Sequence, residues 1–80
     1  MLANDMRKGT VVRLRDGAKA TMLDNKKGMI RFAMVEDIVT EPGSIYVHDI
    51  AYVETDQGPV KLDFTPAQAK QITFIKAAGF

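Results

Sequence analysis

The chain of 80 residues has no cysteine and no tryptophan, one histidine and three prolines. Without cysteine there is neither a disulfide nor a thiolate metal site, and a single histidine, His48, rules out most imidazole metal centres and most nucleophile–histidine triads. No run of 18 or more apolar residues occurs, so no segment reads as a membrane span, and the first eight residues lack the apolar stretch of a signal peptide. The expectation is a cytoplasmic protein with no cofactor and no metal. A domain of this length buries only about 60 to 65% of its unfolded surface, so its core is marginal, and with no disulfide available self-association is the expected supplement.

Net charge is only +1, but it is unevenly spread. Residues 1–31 carry eight basic side chains (Arg7, Lys8, Arg13, Arg15, Lys19, Lys26, Lys27, Arg31) against three acids, a net +5. Residues 32–63 carry seven acids (Glu36, Asp37, Glu41, Asp49, Glu54, Asp56, Asp63) against Lys61, a net −6, and Lys70 and Lys76 close the chain. The first block either gathers into one positive face or lies dispersed on solvated strands.

Most of the chain reads as short strands. In Thr10 to Arg15 aliphatic and basic residues alternate, and Asp16-Gly17 is a hairpin signal of the type I′ kind. A second strand is expected from Ala18 to Leu23, a polar loop from Asp24 to Gly28, and a third strand from Met29 to Val35 with Ile30, Phe32 and Met34 on one face. Glu36 to Gly43 reads as an acidic connector closed by a turn at Pro42-Gly43. Ile45 to Val47 and Ile50 to Val53 are two further strands broken at His48-Asp49, and Val60 to Asp63 is a short candidate strand behind Pro59. Thr65-Pro66-Ala67-Gln68 combines an N-cap, a proline at the first helical position and a capping-box glutamine. The helix should run over residues 66–78, with Ala69, Ile72, Ile75 and Ala78 as its apolar stripe.

Short strands at regular spacing describe one small bent barrel, of SH3-like, OB or Sm-like type, and periodicity does not separate these. The run Ser44 to Val53, S-I-Y-V-H-D-I-A-Y-V, resembles the second motif of the Sm-like family as it stands in the bacterial RNA-chaperone branch, tyrosine-lysine-histidine followed by a small residue and isoleucine. Tyr46, His48 and Ile50 match, and Val47 replaces the lysine. Gly9 and Val11 to Gly17, with Asp24 and Asn25 in the following loop, are similar to the first Sm motif. Two features differ: the clear helix is C-terminal where the family opens with one, and Ala20 and Thr21 stand where its second strand bends at a glycine. The chain also resembles small, diverged Sm-like proteins of cyanophage origin from marine sequence collections, which would place it in the cytoplasm of a bacterial host.

That resemblance implies a single domain over residues 1–80, mainly β: a strongly bent five-stranded antiparallel Sm-like (SH3-like) barrel over about residues 9–63 with a C-terminal α-helix. It implies a homo-oligomeric ring of about five to seven subunits, joined through strands holding Ile45, Val47, Ile50, Tyr52 and Val53. It further implies a pore that binds RNA or single-stranded DNA. Asn25, Lys26, Lys27, Tyr46, His48 and Asp49 would lie there, the lysines suited to phosphates, Asn25 to a base edge, and Tyr46 or His48 to stacking. Each has a plainer reading: a solvated lysine pair, a packed strand tyrosine, a hydrogen-bonded turn histidine. Asp49 suits fixing His48 or capping the turn better than meeting phosphate.

Two other classes stay open. One is a structural or protein-interaction β-barrel without nucleic-acid binding, whose working surface is the acidic middle segment. The other is a monomeric SH3-like module resembling the opening domain of a translation factor, suggested by Arg7-Lys8-Gly9 and the Asp16-Gly17 hairpin. Catalysis is not expected. The carboxylate pairs Asp16/Asp24 and Glu36/Asp37 fall on turns and connectors with no nucleophile or phosphate loop beside them.

Overall fold

A computed structural model describes residues 1–24 and 27–79. Among the described residues six strands form one antiparallel sheet: β1 (Val11–Leu14), β2 (Lys19–Met22), β3 (Ile30–Glu36), β4 (Thr40–Tyr46), β5 (Ile50–Thr55) and β6 (Gly58–Val60), in the order β4-β3-β2-β1-β5-β6. One helix, α1 (Pro66–Ala77), follows, and single 3₁₀ turns stand at Ala3–Asp5 and Val47–Asp49. The mainly β reading with a C-terminal helix agrees with the sequence. The expected barrel of five strands does not appear in that form, because β6 is a sixth strand and the sheet is open, with β4 and β6 as its edges.

The sheet is nonetheless strongly bent. β4 and β5 lie four positions apart in strand order, a separation of about 19 Å in a flat sheet. They are joined by Val47–Asp49 alone, a single 3₁₀ turn that advances about 6 Å. Only a sheet curled on itself brings those strand ends within one turn.

The hairpin at Asp16-Gly17 forms with a different turn. Among the described residues none other than glycine has positive φ, which excludes type I′ at Asp16-Gly17. Gly17 N–H instead donates to Leu14 O at 2.9 Å, Gly17 takes φ +93°, and Leu14 N–H closes on Ala18 O at 2.8 Å, the three-residue loop with glycine in the left-handed position. Asp16 Oδ1 accepts from Ala18 N–H at 2.9 Å. The turn expected at Pro42-Gly43 is absent: both residues lie inside β4, paired with Met34 and Ala33, and the chain reverses at Asp37–Val39 instead. Pro42 is accommodated because β4 is an edge. Val47 N–H points to Met29 O, so by alternation the odd positions of β4 face β3, and Pro42 sits where an N–H would face outward.

β3 reverses the expected burial. Ile30 and Phe32 are exposed and Met34 half-buried, while Arg31 and Ala33 point into the core. Alternation fixes which residues share a face but not which face is covered, and here the face with Arg31 is the inner one. The core is built from Val12, Ala20, Met22, Ala33, Ile45, Val47, Ile50 and Val53, closed at one end by Ala3, Met6 and Leu62. Each fully buried valine contributes about 1.5 kcal/mol or more of transfer free energy.

The N-terminal 3₁₀ turn is tied to the segment before α1: Asp63 N–H donates to Met1 O at 2.7 Å and Ala3 N–H to Asp63 O at 3.1 Å. The capping box at α1 forms as expected, Gln68 N–H to Thr65 Oγ1 at 3.2 Å and Thr65 N–H to Gln68 Oε1 at 3.0 Å. The inward face of α1 differs from the expected stripe. Gln68 and Ile72 are buried and Ile75 is half-buried, whereas Ala69 and Ala78 face solvent. Gln68 turns inward because its amide donates to Asn4 Oδ1 at 3.2 Å.

Candidate nucleic-acid interface

The sequence-predicted site centres on the 3₁₀ turn Val47–Asp49. Tyr46 enters it in an extended conformation and Ile50 N–H closes it on Val47 O. Two loops clamp it: Arg15 N–H from the β1–β2 turn donates to Asp49 O at 2.9 Å, and Met29 O, at the end of the β2–β3 loop, accepts from Val47 N–H at 2.9 Å. Three loop regions distant in sequence are therefore joined through this one turn.

His48 is enclosed in this turn at 3% exposure, and neither ring nitrogen has a hydrogen-bond partner among the described residues. Asp49 Oδ1 stands 3.8 Å from Nε2, too far for a hydrogen bond. The Tyr46 ring packs at 5.2 Å between centroids, tilted by 41°, inside the favourable range for an aromatic pair. In this arrangement His48 contacts Tyr46 and offers no open face for a base.

Tyr46 and Asp49 do face open space. They line a depression of about 460 Å³ together with Leu14, Arg15, Asp16, Val35, Ser44 and Ile45. Lys27 is exposed in a different depression, of about 450 Å³, beside Asn4, Asp5, Met6 and Arg7. Asn25 and Lys26 lie outside the described residues. The structure thus brings Tyr46, His48 and Asp49 together and sets Lys27 apart from them in a second concavity. Arg15, which the motif comparison did not single out, is the cation in the Tyr46 depression. The signal for it was the Asp16-Gly17 hairpin itself, whose first loop residue reaches the start of β5.

Among the described residues the basic block is divided between the interior, ion pairs and exposed positions. Arg31 is only 2% exposed: its Nε donates to Gly28 O at 2.8 Å and Nη2 to Asn4 Oδ1 at 3.0 Å. Burial pulls its guanidinium below the ordinary pKa, against which the charge of Asp24 acts in the raising direction. Arg13 pairs with Glu54 at 3.1 Å and Lys19 with Glu36 at 4.0 Å, so acids from the second block partly neutralise the strand surface. Arg7, Arg15 and Lys27 remain as exposed cations in and around the two depressions.

Of the five residues expected at a subunit interface, Ile45, Val47, Ile50 and Val53 are buried in the core of the single chain, and Tyr52 is half-exposed. What these strands leave open is backbone. Among the described residues β4 pairs on one side only, and β5 pairs with β6 only over Val53–Thr55, so Ile50, Ala51 and Tyr52 have no partner strand there on that side. No cluster of three metal-ligating side chains occurs among the described residues, and no helix there is long and apolar enough to cross a membrane. In comparisons with known proteins, no family model, no curated protein and no solved structure matches the chain.

Proposed function

We propose that the chain is an Sm-like, non-enzymatic protein that assembles into a homo-oligomeric ring and binds RNA or single-stranded DNA. One observation carries the assembly: an unpaired β4 edge and an unpaired start of β5 flank a single 3₁₀ turn in a strongly bent sheet. Edges of this kind are completed by strands of a neighbouring copy, and a bend fixes the angle at which copies follow one another, so that a ring closes. For nucleic acid, the support is the half-exposed Tyr46 beside Arg15 in one depression and Lys27 with Arg7 in the next. Repetition around a ring places these stacking and phosphate-binding groups in alternation along a strand, the combination single-stranded binders use.

The test joins mass and binding. Light scattering should give a single mass of several chains, and fluorescence anisotropy should show binding of poly-U or poly-A oligonucleotides that weakens as salt rises. A multimer that ignores both oligonucleotides at low salt would leave the protein-interaction reading in its place. That reading has its own support in the exposed apolar side chains Ile30, Phe32, Ile38, Val39 and Phe74.

A further inference from the structure

Two apolar features at opposite ends of β3 take no part in the proposed strand-to-strand ring or its nucleic-acid site. One is the β3–β4 reversal, where Ile38 is 96% exposed and Val39 stands beside it, flanked by Asp37 and Glu41. Glu36 is nearby but engaged with Lys19. The other is a groove of about 520 Å³ between Met29 and α1, lined by Ala67, Lys70, Gln71, Phe74 and Ile75, with Phe74 76% exposed. α1 contains no acid, and the one charged residue in the groove's lining is Lys70. The tip is thus apolar with an acidic rim, and the groove apolar with a basic one.

We propose that the Ile38–Val39 tip of one copy docks in the Met29–Phe74 groove of a second copy, with Asp37 and Glu41 facing Lys70. Charge complementarity selects this occupant, and the same chain supplies both halves. Seven residues of β3 separate tip from groove by about 20 Å, so a chain cannot fill its own groove and the contact runs head to tail. It leaves the backbone edges of β4 and β5 unpaired, Glu41 of β4 taking part through its side chain alone, and is therefore independent of the strand-to-strand ring.

The absence of cysteine permits a direct test. Ile38→Cys and Phe74→Cys chains, both altered at exposed positions, are mixed in equal amounts under a mild oxidant. The mixed disulfide should form about tenfold faster than either symmetric one, because docking raises the local concentration of one thiol near the other. In parallel, Lys70→Glu should weaken association measured by sedimentation, and adding Asp37→Lys to it should restore it. Symmetric disulfides forming as fast as the mixed one, association indifferent to Lys70→Glu, or no gain on adding Asp37→Lys would overturn the proposal. Loss of this contact with the ring mass unchanged would leave the strand-edge reading standing, and loss of the ring alone would leave this contact standing.

Discussion

Asn4 Oδ1 accepts a hydrogen bond from Arg31 Nη2 at 3.0 Å, across 27 residues of sequence. The same oxygen accepts from Gln68 Nε2 at 3.2 Å, so one amide joins the N-terminal turn, the inner face of β3 and the first turn of α1. Asn4→Ala leaves two buried donors without that acceptor and should destabilise the fold by about 2 kcal/mol in urea denaturation. A double-mutant cycle with Gln68→Ala should show coupling of roughly 1 kcal/mol. Independent, additive losses would show that the three elements are not joined through Asn4.

The pH behaviour of this network follows from the sign of the Arg31 shift. Its folded pKa lies below the unfolded value because burial penalises the charged form, so folding carries an unfavourable contribution at every pH below the depressed value. That contribution is relieved only as pH rises through the depressed value, and an arginine keeps its charge across neutral pH. Across neutral pH the stability difference between the native chain and Arg31→Met should therefore be flat. A difference that changes with pH there would point to another titrating group coupled to Arg31.

Two glycines should respond in opposite ways to alanine. Gly17 has φ +93°, where a Cβ is strained, so Gly17→Ala should cost about 1 kcal/mol although open space surrounds the position. Gly43 lies in β4 without positive φ, and an added Cβ would meet only Val35 Cγ2 at 3.9 Å, an ordinary contact. Gly43→Ala should be neutral or stabilising by a few tenths of a kcal/mol through the unfolded state. Paired thermal melts of the two variants decide it.

The helix cap offers a separable measurement. Thr65→Ala removes the oxygen that accepts from Gln68 N–H and should cost about 1 kcal/mol, lowering Tm by roughly 4–8 °C in a domain of this size. Gln68→Ala removes both the reciprocal cap bond and the link to Asn4, so its loss should be larger. Equal losses would mean that Gln68 acts in the cap alone.

These elements also show what could be read in the residues beforehand. The cap at Thr65 and the place of the hairpin at Gly17, though not its turn type, were legible because each depends on a few adjacent residues. Pro42-Gly43 was not, because proline marks a turn and an edge strand equally well, and only the strand order reveals β4 as an edge. The inward face of β3 was not legible either. Ile30, Phe32 and Met34 compete with Arg31, Ala33 and Val35, and what makes Arg31 buriable is Asn4 and Gln68, far away in sequence. In the candidate site, Tyr46, His48 and Asp49 are adjacent by sequence and stay together. The placement of Lys27 with Arg7, and of Arg15 with Tyr46, depends on how loops meet across the bent sheet.

Ser44 tests whether the β4 edge is the assembly surface. It is exposed, paired with Phe32, and in the same outward register as Pro42, so its N–H faces away from β3. Ser44→Pro deletes that outward donor while keeping the ladder to β3, and two prolines in alternate outward positions block any strand from pairing there. The variant should keep its β-sheet circular dichroism and lose assembled mass by light scattering, with Ser44→Ala as the control that retains both. If nucleic-acid binding depends on repetition around a ring, Ser44→Pro should also flatten the salt dependence of oligonucleotide affinity, since a single copy neutralises fewer phosphates. Full mass in a folded Ser44→Pro variant would move assembly away from β4 and leave the Ile38 tip and the Phe74 groove as the remaining route between copies.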